Sequence, residues 1–152
     1  MLDFEKLFPT RLARAVLWAG QQERYVLAKG VFLDQKQTED AVRIGVRYTN
    51  SVRLLWAEQI PQPADGLLRQ VNRQAGLTSP RTGGLTLGYG ILLRPNVWGW
   101  RQMLAHELVH VTQYEQQAGI EGFLQKYIKE ILTVGYVNSH MERDAVRISE
   151  DY

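Results

Sequence analysis

The run LAHELVH, residues 104–110, places two histidines four apart with a glutamate directly after the first. The chain has three histidines altogether and no cysteine, so any metal it binds must be held by imidazole and carboxylate. On an α-helix, residues four apart lie about 40° from each other around the axis and one turn apart along it. His106 and His110 therefore project together and can share one ion at bond lengths near ~2 Å, while Glu107, one step round, can face a water in an open coordination position. The bland alternative is three polar residues on a solvated helix face. With three His and ten Glu in 152 positions, chance produces H-E-x-x-H in roughly four such chains per thousand. A solvated face also leaves the apolar flanks Leu104, Ala105, Leu108 and Val109 unexplained.

A catalytic zinc of this kind takes a third protein ligand and keeps a fourth position for water. After His110 the chain continues VTQYEQQAG, without a GxxH continuation, so the third ligand must come from another element. Glu142, in NSHMERDA, follows one complete helical segment, and two reversals of direction would lay its helix beside LAHELVH. His140 competes with it, as a ligand, as a hydrogen-bond donor to a reaction intermediate, or as a surface residue. The residues alone leave both open.

The elements that must position these groups follow from periodicity and punctuation. From Trp100 to Gln117 an unbroken helix is expected, with Trp100, Leu104, Leu108 and Val111 on one stripe. Gly119 ends it, and IEGFLQKYIKEILTVG forms another up to Gly135, with Phe123, Leu124, Tyr127, Ile128, Ile131 and Leu132 on its core face. A last helix spans about His140 to Ile148. Upstream, LTLGYGILL alternates as a strand, Leu85, Leu87, Tyr89, Ile91 and Leu93 one way and Thr86, Gly88 and Gly90 the other. Glycines in a strand mark close approach of a backbone, a ligand or a packed helix.

In the N-terminal part, a helix is expected from Pro9 to a Lys29-Gly30 cap, with Gly20 a possible break. TEDAVRIGV forms a short helix with Thr38 as a possible N-cap, and Val52, Leu54 and Trp56 share one face of a strand. ADGLLRQVNRQAGL forms a third helix, followed by the loop LTSPRTGG. An α+β fold, mainly helical, with a small sheet packed on the LAHELVH helix, follows from this order.

Composition sets the outer bounds. A chain of 152 residues, 45% hydrophobic and 10% aromatic, has the size and core of one domain over 1–152, with a mostly helical part at 1–83 and the strand and site helices at 84–152. The formal net charge is +2 and the basic residues are dispersed, so nucleic-acid binding is not suggested. AVLWAG is the longest apolar stretch near the N-terminus, far short of the ~20 residues a membrane span takes. A cytoplasmic location is the default expectation, with export by a route that uses no cleavable signal left open.

HELVH on a long helix, followed by an isolated Glu on a later one, resembles the gluzincin group of zincin metallopeptidases. More narrowly, GLTLGYGILL, LAHELVH, VTQYE, GIEGFLQKYIKE and MERDA are similar to the small bacterial HELxHVxQ metallopeptidase domains, some of which occur in proteins loaded into contractile injection systems. The likeness covers about residues 84 to 147. It implies that His106 and His110 bind Zn2+ with Glu142 as third ligand, that Glu107 is the general base, and that LTLGYGILL is the edge strand on which an extended peptide lies. One departure concerns the position four after the ligand glutamate, often acidic in gluzincins and here Val146; Asp144 should point elsewhere.

The expected activity is zinc-dependent hydrolysis of peptide bonds in a peptide or protein substrate. Tyr89, Tyr136 and His140 are oxyanion-donor candidates by residue type. The rival is a non-catalytic, zinc-stabilised binding module using the same ligands, with His140 as a possible fourth.

Overall fold

The structure is a computed structural model and describes residues 4–66, 69, 72 and 83–152, with side chains from residue 8 onward. Among the described residues the chain is α+β: five helices and one four-stranded mixed sheet. Helix α1 (Phe4–Lys29) leads into β1 (Val31–Phe32), α2 (Gln35–Ile44) and β2 (Arg53–Trp56). Then come β3 (Gly84–Leu87), β4 (Gly90–Leu93), α3 (Arg101–Gln116), α4 (Ile120–Val134) and α5 (His140–Ser149). No described helix is long and apolar enough to cross a membrane.

The sheet order is β1-β2-β4-β3, with β2 and β4 parallel and the other pairs antiparallel. The single strand expected over LTLGYGILL is instead a hairpin, Leu87 paired with Gly90 across the two-residue turn Gly88-Tyr89. Gly88 has φ +62°, a conformation costly for any side chain, and the Glu23 carboxylate fills the space where a Cβ would stand in order to accept the Tyr89 N–H at 2.8 Å. The turn resets the alternation. Leu85 packs beside Val26 of α1, whereas Ile91 and Leu93 join Leu104, Leu108 and Val111 of α3. The hairpin is therefore covered on both faces, and of its two strands β3 is the one at an edge of the sheet.

In the N-terminal part, α1 runs through Gly20 without a break and includes Pro9. The N-cap of α2 is Asp34, one turn before Thr38: its carboxylate accepts the Gln37 N–H, and the Gln37 side chain accepts the Asp34 N–H in return. The strand expected around Val52, Leu54 and Trp56 is β2: Val52, just before it, and Leu54 are buried, and Trp56, at its end, is exposed. The expected third helix and its following loop fall largely outside the described residues. The part expected to be mostly helical supplies two of the four strands.

The site elements match their expected bounds to within two residues. Ser139 caps α5, its hydroxyl accepting the Glu142 N–H, and Glu130 of α4 holds the same end by accepting from Ser139 Oγ and the Met141 N–H. Tyr114, Phe123 and Met141 form a second core where α3, α4 and α5 meet.

Candidate metal centre

Helix α3 turns two different faces to its neighbours. Leu104, Leu108 and Val111 enter the core against the sheet. His106 and His110 face α5, where Glu142 meets them: His106 Nε2 lies 3.2 Å from Glu142 Oε2, His110 Nε2 lies 3.2 Å from Glu142 Oε1, and the two Nε2 atoms are 3.3 Å apart. Donor atoms arranged tetrahedrally around an ion at ~2.0–2.1 Å stand about 3.3 Å from one another. The three residues thus present a ready triangle, and as a group they could hold a metal ion.

Burial makes the triangle costly unless something lies between its corners. The Glu142 and His110 side chains are only 5% and 8% exposed, and Glu142 Oε2 is buried without a hydrogen-bond donor. Burial disfavours charge on Glu142, but contacts from both imidazoles and from the Tyr127 hydroxyl, 2.6 Å from Oε1, hold its carboxyl well below the usual carboxylate range. Burial likewise disfavours charge on His110, yet Glu142, with Glu107 nearby, outweighs this and pushes its pKa up to about 9. The Tyr127 phenol is also raised, by burial and by the Glu142 charge.

Glu107 points from α3 toward β3. Thr86 Oγ donates to Glu107 Oε2 at 2.6 Å, leaving Oε1 over Gly84, where an added Cβ would come within 2.9 Å of it. Only glycine at 84 lets the carboxylate sit this close to the strand. His106, Glu107, His110 and Glu142 all line one cleft of about 150 Å³. Ala15, Trp18 and Ala19 of α1, with Pro61 and Pro63, wall it opposite the site, and Tyr136 lines it too.

The other expected residues do not gather there. His140 is exposed at the start of α5: two residues apart on a helix means about 200° of rotation, so Glu142 facing inward turns His140 out. Tyr89 donates to Glu115 at 2.9 Å instead of facing the cleft, and Asp144 makes a surface pair with Arg147. Tyr136 stays, half-buried, its phenol raised by burial and by the Glu142 charge.

Three site residues escaped the sequence reading: Thr86, Tyr127 and Gln113. Gln113 Oε1 lies 2.8 Å from His110 Nδ1, and its position one turn after His110 was a usable signal. Nothing distinguished Tyr127 from its core-face neighbours. Comparison of the chain with protein-family models, with curated proteins and with solved structures returns no match in any of the three.

Proposed function

We propose that the protein is a zinc-dependent metallopeptidase with His106, His110 and Glu142 as ligands and Glu107 as general base. The observation that carries this reading is a three-donor triangle of tetrahedral dimensions beside a second buried carboxylate, Glu107, that lines the same cleft. Two imidazoles and one carboxylate match the His₂Glu donor set of catalytic zinc sites; His106, His110 and Glu142 would hold the ion, which would supply a lowered pKa for a bound water and polarisation of a carbonyl. Thr86 occupies Glu107 Oε2, so Oε1 takes the proton from the attacking water and delivers it to the leaving amine. Tyr136, which lines the cleft, is on this reading the donor to the carbonyl oxygen as negative charge develops there. An extended peptide lies along β3, the edge strand beside Glu107.

A zinc-stabilised binding module is favoured by one observation. The cleft, walled by α1, Pro61 and Pro63, is smaller than the ~300–1,000 Å³ of ordinary ligand sites. Against it stands Glu107, which a structural ion does not require, and the exposed His140, which leaves three protein ligands where structural sites take four.

Metal analysis combined with peptide cleavage by wild type and Glu107→Gln separates the two. Stoichiometric zinc in both, with cleavage lost only in the variant, is the expected result. Zinc in both with no cleavage of a broad peptide library by wild type selects the binding module, and absence of bound metal after zinc is supplied removes both.

A further inference from the structure

Gln113 is 6% exposed and stands between two of the three metal-site helices. Its Nε2 donates to the Met141 carbonyl at 3.0 Å, and its Oε1 lies 2.8 Å from His110 Nδ1. The orientation of the amide is dictated by its partners. A backbone carbonyl can only accept, so the amide nitrogen must face Met141, which leaves the amide oxygen, also only an acceptor, facing His110. His110 Nδ1 must then carry a proton. In the neutral imidazole this assigns the lone pair to Nε2, the atom that faces His106 and Glu142.

The second half of the contact concerns α5. Met141 immediately precedes Glu142, so one buried side chain touches both a candidate ligand on α3 and the helix turn that carries the candidate ligand on α5.

We propose that Gln113 is the positioning residue of the metal centre, its amide oxygen keeping the proton on His110 Nδ1 so that Nε2 is presented to the ion. The inference rests on the metal reading above, although it holds whether the ion is catalytic or structural. A partner of this kind acts by removing alternatives: without it His110 samples the other tautomer and ring flip, neither of which offers a lone pair to the ion, and its loss typically costs about 10- to 100-fold in metal affinity.

The test uses the full chain as wild type, Gln113→Leu and Gln113→Glu. Zinc affinity is measured by competition with a chromophoric chelator, the His110 ring protons by ¹⁵N-resolved NMR of the zinc-loaded protein, and stability by thermal melting of the metal-free protein. The expected result is a slowly exchanging His110 Nδ1–H in wild type, an affinity lower by about 10- to 100-fold in Gln113→Leu, and retention within about threefold in Gln113→Glu, which keeps the acceptor at Nδ1. Unchanged affinity in Gln113→Leu, even with a lower melting temperature, overturns the proposal and leaves the metal reading standing. An equal loss in both variants also overturns it, because the acceptor is then irrelevant. If Gln113→Leu does not fold, Gln113→Glu decides alone: retained affinity supports the positioning role, and a large loss ends it. A wild type that binds no zinc removes the metal reading and this inference together.

Discussion

The two sides of α3 are held by different physics. Toward the sheet, Leu104, Leu108 and Val111 sit in one apolar cluster with Leu54, Ile91 and Leu93, and burial of that kind needs no ion and no proton. Toward α5, two imidazoles and a carboxylate share a space with little exposure, and their mutual approach is favourable only while a positive charge sits among them. One side of the helix is thus an unconditional scaffold, and the other a contact whose strength is set by solution conditions. The same sixteen residues provide both because the apolar and ligand positions recur at helical spacing on different arcs.

The largest expected effect tests the unconditional side. Leu108 is fully buried, and Leu108→Ala should destabilise the metal-free protein by about 2–5 kcal/mol through lost transfer energy and a residual cavity. Denaturant melts at pH 6 and pH 8.5 measure it. The penalty should be the same at both values, since the buried members of that cluster do not titrate and the phenol of Tyr89, packed against it, is raised above its ordinary range by burial; a penalty that changes with pH would break the division between the two sides.

The conditional side is expected to show a smaller effect, but one with a pH signature. His110 has a folded pKa of about 9 against an ordinary 6.5, so without metal its contribution is complete below about pH 6.5 and disappears as pH rises through 9. Glu142 is shifted below its ordinary 4.5, so its contribution is present above about pH 4.5 and declines as acid protonates it. Metal-free protein should therefore be most stable near pH 5–6.5 and lose at most on the order of 3 kcal/mol by pH 9. Added zinc reverses the trend, because coordination requires His110 without its Nε2 proton. Thermal melts in chelator and in zinc across pH 5–9 check both halves. A chelator curve that is flat from pH 6.5 to 9 contradicts the proton as the element that holds α5 when no metal is present.

The same division explains what the sequence disclosed. The apolar side announces itself by periodicity, and α3 and α4 were legible because Gly119 and Gly135 punctuate them. LTLGYGILL misled because a two-residue turn leaves the hydrophobic alternation formally intact while reversing the chain, so Leu85 and Ile91, in phase along the sequence, face opposite helices. On the polar side, residue type and spacing pointed to His106, Glu107 and His110, and the family resemblance pointed to Glu142. Tyr127 carried no such signal, and Gln113, although it stands one turn after His110 as the last residue of the HELxHVxQ pattern, was given no role, because the importance of both lies in what they touch. Nor could residue type separate His140 from Glu142, although the 200° between them on a helix already forbids both from facing one ion.

His140 supplies the smallest expected effect and the most direct check on that last point. Glu142 faces α3, Ser139 caps the helix, and Glu130 holds its first turn through Ser139 Oγ and the Met141 N–H, so the approach of α5 to the site is set without the His140 imidazole. That imidazole is exposed, and replacing it removes no buried contact. His140→Ala should change stability by no more than about 0.5 kcal/mol and leave zinc affinity and peptide cleavage at wild-type values, measured by melting, chelator competition and the cleavage assay. A tenfold loss of affinity would restore His140 as a ligand and require α5 to rotate in the loaded protein, carrying Glu142 away from the position that its contacts with both histidines and Tyr127 define. A loss of cleavage at unchanged affinity would instead make His140 a donor to the reacting carbonyl, and would mean that the polar side of α3 extends around the start of α5 during turnover.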